Sequence, residues 1–218
     1  MNNNFWLIDQ EIFKHPFTCT IAGPTQSGKT WLKKKILQFN NVIFDNPPLN
    51  IIYCYSTWEK SFEKFRDILP KVAFKQGLPD IDEIDPSQNN LIILDDLMKE
   101  CEEDFSIQKL FTIESHHKNI SVFFITQNIF SKGKFTRTLN LNSHYLVLFN
   151  NPRDKLQIST LARQMFPGKS SFFIESYEDA SLKPHGYLMI DLKQTTENRN
   201  RIQTGITPDE KRIIYTPK

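Results

Sequence analysis

Eight consecutive residues carry the clearest chemistry in this chain. Gly23-Pro24-Thr25-Gln26-Ser27-Gly28-Lys29-Thr30 fits G-x-x-x-x-G-K-[ST], the phosphate-binding Walker A loop. Gly23 and Gly28 let the backbone turn tightly and come close to a phosphate chain. The loop N–H groups and the start of the following helix then face the anion with partial positive charge. Lys29 suits the β- and γ-phosphates, and the Thr30 hydroxyl suits Mg²⁺. A second set follows at Asp95-Asp96, two carboxylates closing the aliphatic run Leu91, Ile92, Ile93, Leu94. This is the Walker B arrangement. Asp95 would hold Mg²⁺ through its water shell, and Asp96 would orient and polarise an attacking water. A third is Gln127, beside Asn128 at the tip of the apolar run 120–126. An amide there can sense the γ-phosphate. The implied ligands are ATP and Mg²⁺.

These groups work only if the chain brings them together. Phe17, Cys19 and Ile21 alternate with Thr18, Thr20 and Ala22, so 17–22 reads as a strand and 29–40 as the helix behind the loop. Further strands are expected at 51–55, 90–95, 120–126, 144–149 and 186–192, with a short edge strand at 72–74 and a candidate at 213–215. Helical spacing predicts helices over 58–69, 104–118 and 170–180, and another reaching about Met165, with Asn151 as cap and Pro152 at its first position. Strands alternate with helices. The fold class is therefore α/β, a mainly parallel central sheet flanked by helices. Such sheets bind ligands beyond the carboxyl ends of their strands, where all three sets lie. The expected organisation is a leader at 1–16 packed on the domain, a P-loop ATPase domain at 17–192, and a polar tail at 193–218.

Composition narrows the classes. The 218 residues are 39% hydrophobic with 18 Phe, enough for a sizeable core, and the formal charge is +2. A basic coat for nucleic acid is excluded, so any DNA contact needs a local patch or loop. Lys132, Lys134 and Arg137 around a glycine offer such a loop, whereas Lys33, Lys34 and Lys35 read as a solvated helix face. No apolar run is long enough for a membrane span. The first ten residues lack the plan of a secretion signal, so an intracellular protein, in host cytoplasm or nucleus or in a virion, is expected. Cys19, Cys54 and Cys101 fit neither a disulfide framework nor a zinc site and read as buried thiols. His116 and His117 have no ligand partner at metal spacing and read as surface histidines.

The nucleotide class follows by elimination. The N-K-x-D base-reading motif of GTPases is absent, as is the L-S-G-G-Q of transporter ATPases. What remains is a P-loop NTPase of the additional-strand catalytic-acid (ASCE) division, with its sensor strand inserted between the P-loop and Walker B strands. Hydrolysis in that division commonly needs an arginine delivered by a neighbouring subunit, worth about 10³–10⁵ in rate.

Four segments in order, KHPFTCTIAGPTQSGKT, NLIILDDLM, SVFFITQNIF and LNLNSHYLVLFNNPRDKLQISTLARQMFP, resemble the genome-packaging ATPases of the FtsK/HerA superfamily. The likeness is greatest to those of large DNA viruses, virophages, adintoviruses and Polinton (Maverick) elements, and it covers about residues 14–192. It implies a homo-oligomeric ring, hexamer or pentamer, that pumps double-stranded DNA into a preformed capsid with ATP and docks on a capsid or portal-vertex protein. It matches Gly23, Gly28, Lys29 and Thr30 to Walker A, Asp95 and Asp96 to Walker B, and Gln127 to the sensor. It implies Arg137 as the arginine acting in trans, with Arg153 and Arg163 as alternatives. Many relatives have Glu where Asp96 stands, which sets this carboxylate about one methylene further from the water. Two other functions fit the motifs: a nucleoside or nucleotide kinase, which would yield a labelled nucleotide rather than free phosphate, and a nucleotide-binding structural protein with little hydrolysis.

Overall fold

A computed structural model describes residues 11–60, 62–63, 66, 72–130, 138–139 and 141–217. Its centre is a sheet in the order β3-β2-β4-β5-β1-β6-β7-β8-β9. The strands are β1 Thr18–Ala22, β2 Asn50–Tyr55, β3 Val72–Gln76, β4 Asn90–Asp95, β5 Ile120–Thr126, β6 Tyr145–Phe149, β7 Tyr187–Asp191, β8 Ile202–Thr204 and β9 Ile213–Tyr215. From β3 to β6 every pairing is parallel; β7, β8 and β9 are added antiparallel. The sensor strand β5 lies between β1 and β4, as the ASCE order requires.

The central strands are covered on both faces, and their sequences show why. Every residue of β1, β5 and β6 is buried. A parallel strand shielded by helices above and below favours a continuous apolar run, as in β6; β1 departs from it with Thr18 and Thr20, whose buried hydroxyls are matched by Asn142 O and Ser143 Oγ. On one face Cys19, Ile21, Ile93 and Phe123 meet Leu32, Ile36 and Leu37 of helix α1, Lys29–Gln38. On the other, Ile92, Leu94, Val122 and Phe124 pack on Cys101, Ile107, Leu110 and Phe111. A third cluster joins Leu146 and Leu148 to Ile158 and Leu161 of helix Lys155–Met165 and to Phe173 and Tyr177 of helix Ser170–Ala180.

The register fixes where the chemistry lands. Ala22 pairs with Thr126 on one side and Leu148 on the other, and Asp95 pairs with Ile125. The carboxyl ends of β1, β4 and β5 therefore share one edge. Parallel strands alternate faces, so Asp95 shares the α1 side with Leu91 and Ile93.

Several local readings are corrected. The helix after the loop ends at Gln38, and a short helix, Asn40–Ile43, follows. The span 104–118 is not one regular helix. Met98–Glu103 ends at Asp104, whose carboxylate accepts from Ser106 and Ile107 N–H and starts Phe105–Lys109. A π-turn, Leu110–Glu114, and Ser115–His117 continue it. The cap of helix Lys155–Met165 is Asp154, which accepts from Gln157 N–H, not Asn151. Asn151 instead accepts from Arg153 N–H and turns the chain before the helix. The stretch after 192, read as a polar tail, contributes β8 and β9 to the sheet, and its Ile202, Gln203, Ile206 and Thr207 are buried. β9 is the strand expected at 213–215, whereas β8, three residues among charged neighbours, has too little periodicity to stand out. Of the leader, Ile12 and Phe13 are buried and donate N–H bonds to Ile43 O. Residues 1–10, and half of the helix expected at 58–69, lie outside the described residues.

Candidate nucleotide site

The strand–loop–helix unit is built as its glycines require. Gly28 has φ 115° and is the N-cap of α1, and Gln26 also takes positive φ, 66°. A Cβ on Gly28 would meet His185 at 2.7 Å, and one on Gly23 would meet Phe149 Cβ at 2.6 Å and Ser27 Oγ at 2.7 Å. Only glycine fits either place. No acidic residue stands in the first turn of α1, so the positive end of that helix keeps its field for an outside anion.

Lys29 folds back over the loop and donates to Gly23 O and, at 2.8 Å, to Pro24 O. Burial lowers its pKa, helped by the charge of Lys33 and opposed by Asp95, Asp96 and Glu59. Ser27 Oγ is buried and, among the described residues, has no hydrogen-bond partner. A buried hydroxyl left unmatched costs free energy, and a phosphate oxygen would satisfy it.

A cavity of about 440 Å³ opens on this loop, lined among others by Thr25, Gln26, Gly28, Lys29 and Thr30, and by Asp95, Asp96 and Gln127. The structure thus brings these expected residues to one place. Asp95 is half-buried, and its Oδ2 accepts from Lys33 Nζ and from Tyr53 OH. Asp96 is exposed, with φ 56°, and its N–H donates to Ile125 O at 3.3 Å. That bond ties the second carboxylate to the neighbouring sensor strand. Gln127 is exposed at the end of β5, and next to it Asn128 Oδ1 accepts from Gln157 Nε2 at 2.9 Å.

The oxygen set suits a hard cation. Thr30 offers a hydroxyl and Asp95 a carboxylate, and among the described residues there is no cluster of three ligating side chains that could cage a metal by itself. Mg²⁺ is commonly held in this way, by one or two protein oxygens plus substrate phosphates, with waters filling the octahedron.

Lining residues not anticipated as part of the site include Trp31, Lys33, Glu59 and His185. Lys33 is buried, not on a solvated face; its partner Asp95 comes from β4, too distant in sequence to be paired with it by spacing. Lys34 is exposed as expected, while Lys35 pairs with Asp209 at 2.6 Å and lies 4.0 Å over the Trp31 ring. His185, with φ 63°, stacks on Trp31 at 5.8 Å from the loop before β7. Arg153 and Arg163 are exposed and do not line the cavity; Arg163 Nε donates to Ser159 O one turn back. Arg137, Lys132 and Lys134 lie outside the described residues. The three cysteines are free and buried, and burial raises the Cys54 thiol to about 12.

Two other cavities of similar size, about 480 Å³ against helix Ser170–Ala180 and about 550 Å³ beside β3, are not lined by the phosphate loop, though the second has Lys75, Asp80, Glu83 and Asp85 on its walls.

No protein-family model and no curated protein matches this chain. Solved structures do. The DNA-packaging ATPase B204 of Sulfolobus turreted icosahedral virus superposes with TM-score 0.55 at 13% identity, covering 94% of this chain and 99% of that one. The genome-packaging NTPase B204 of Sulfolobus turreted icosahedral virus 2, in complex with sulfate, gives 0.54 at 12%, covering 93% and 97%. The cytoplasmic domain of the type VII secretion ATPase EccC of Thermomonospora curvata gives 0.52 at 13%, over 83% of this chain and 24% of that one. At such identities the likeness is one of fold. The chain has the fold of P-loop ATPases, with a mostly parallel sheet between helices.

Proposed function

We propose that this protein is an ATPase that drives double-stranded DNA into a preformed capsid, acting as a ring of identical subunits in the FtsK/HerA superfamily, in a virus or a Polinton-like element. One observation carries the reading. A fold matched end to end by a viral packaging ATPase carries, at one sheet edge, a phosphate loop, two carboxylates and a sensor amide.

The roles follow from position. The loop N–H groups, Ser27 Oγ and the α1 N-terminus bind the phosphates, and Lys29 leaves the loop carbonyls to reach the β- and γ-oxygens. Thr30 and Asp95 would hold Mg²⁺, which supplies positive charge against the phosphate oxygens. Asp96 orients the attacking water. Its N–H bond to β5 lets the position of Gln127, on the same strand, follow the γ-phosphate. An arginine of the next subunit completes the charge on the leaving phosphate; Arg137, Arg153 and Arg163 are the candidates. DNA needs only phosphate contacts, since a motor must not read sequence. The capsid vertex is the expected docking partner, inside the host cell or the virion.

The test is ATP hydrolysis with and without linear double-stranded DNA, titrated at fixed total protein with a Lys29→Ala subunit. DNA should stimulate turnover, and the dead subunit should poison it more steeply than dilution. Turnover indifferent to DNA and merely diluted would refute the ring motor. Transfer of phosphate to a nucleotide acceptor would replace it with a kinase.

A further inference from the structure

The carboxylate assigned to the metal is already bound on its far side. Asp95 Oδ2 accepts from Lys33 Nζ and Tyr53 OH, and Lys33 Nζ also donates to Tyr53 OH at 2.7 Å. The three come from α1, β2 and β4. The side chains of Lys33 and Asp95 are only 4% and 13% exposed. Among the described residues Asp95 Oδ1 takes no hydrogen bond. One oxygen is therefore committed to the protein, and the other is left for the cavity that Asp95 lines.

The charges in that cavity give this arrangement a purpose. Lys29 and Lys33 face Asp95, Asp96 and Glu59. With Lys33 the lining carries one negative charge in excess; without it, two. An ammonium this deep is costly unless a carboxylate answers it, and the reverse holds for Asp95. Lys29 does not answer Asp95 here: it is engaged with Gly23 O and Pro24 O, and on nucleotide binding it turns to the phosphates.

Resting on the nucleotide reading above, we propose that Lys33 is the resident counter-cation of Asp95, so that a divalent cation approaching Oδ1 binds against a charge already in place. With its Nζ bound to Asp95 and Tyr53, Lys33 is a positioning residue that acts through Asp95. Tyr53 holds ammonium and carboxylate in register. Two consequences follow. The site tolerates a nucleotide without its metal, because the carboxylates are partly balanced. The metal is held loosely, because Asp95 has no full charge to give it.

The test uses the full chain and a fluorescent ADP analogue, with EDTA and across a Mg²⁺ series. In Lys33→Met the Mg²⁺ concentration at half-saturation should fall at least about tenfold, and the nucleotide Kd in EDTA should rise at least about tenfold, as expected when one unit charge a few ångströms away is removed even at a dielectric close to that of water. Lys33→Arg should restore both to within about threefold, and Tyr53→Phe, which keeps the charge, should move them less than about threefold. A half-saturation unchanged or raised in Lys33→Met would overturn the proposal, because a merely structural role loosens the site for the metal. Should Lys33→Met fold poorly, Lys33→Met with Asp95→Asn decides. Removing both charges should raise the melting temperature in EDTA above that of the single variant, and a double variant no more stable would also overturn it. Wild type that binds no nucleotide, with Lys29→Ala no different, would sink the site reading and the proposal together; failure confined to the Lys33 variants would sink the proposal alone.

Discussion

Ser27→Ala should make the folded protein more stable and the nucleotide complex weaker. The hydroxyl is buried, has no hydrogen-bond partner among the described residues, and lies 2.7 Å from where a Cβ on Gly23 would stand. Leaving such a group unmatched costs about 1–3 kcal/mol relative to a methyl, and the site is part-exposed, so about 1 kcal/mol is expected. For a domain of this size that raises the melting temperature by about 2–4 °C. If the hydroxyl donates to a phosphate oxygen, a charge-assisted bond worth about 1.5–3 kcal/mol is lost, and ADP binding weakens by about tenfold or more. The assay is differential scanning fluorimetry without nucleotide, paired with isothermal titration with Mg-ADP. The two effects must have opposite signs. A variant that melts lower, or binds ADP as well as wild type, refutes the reasoning, because the hydroxyl would then already be satisfied by the fold.

Further outcomes follow from other contacts. Gly28→Ala places a Cβ at φ 115° and 2.7 Å from the His185 Cβ, and should lower stability by about 1–3 kcal/mol and abolish nucleotide binding; adding His185→Gly, which removes that Cβ, should recover the steric part in a melting assay but not the backbone part. Tyr187→Phe leaves Ile206 N–H, now bonded to the phenol oxygen at 2.9 Å, without an acceptor in a buried place, and should cost about 1–3 kcal/mol in urea unfolding. His15 is held below its ordinary value of 6.5, mainly by burial. The unfolded chain then binds the extra proton first, so this stability is present above pH 6.5 and is lost as pH falls through the folded pKa; the melting temperature of His15→Gln should fall less than that of wild type between pH 7 and 5. Phe123→Ala empties a site where the ring meets Phe13, Phe17 and Phe44, and should cost about 3–5 kcal/mol by denaturant unfolding.

What could be read in advance was what a short stretch contains within itself. The Walker A loop, the aliphatic run ending in Asp95-Asp96 and the strand before Gln127 are local patterns, and the sheet order with β5 between β1 and β4 followed from the class they imply. Lys33 was misread because its burial depends on Tyr53 and Asp95, which reach it from two other strands. His185 left no signal: a lone histidine in a polar loop acquires its place only when β7 brings it over Gly28. Asp154 and Asn151 could both cap a helix, and only the turn made by Asn151 decides between them. β9 was expected at 213–215, but β8 was not, because a strand of three residues is stabilised by its neighbours rather than by its own pattern.

The place of β1 bears on how the molecule is made. It is an early strand in the chain, yet its partners are β5 and β6, with Thr18 opposite Val122 and Cys19 opposite Tyr145. During synthesis this buried strand must wait for Thr126 before its first edge can be paired and for Phe149 before its second. Closing loops of that length before any pairing rewards them makes folding slow and leaves a sticky edge exposed meanwhile. The phosphate loop hangs from the end of that strand, so it is set in place only after β5 and β6, made later, have paired with it. Ligand-binding competence should therefore report late folding, and nascent chains should lean on chaperones until the sheet closes around β1.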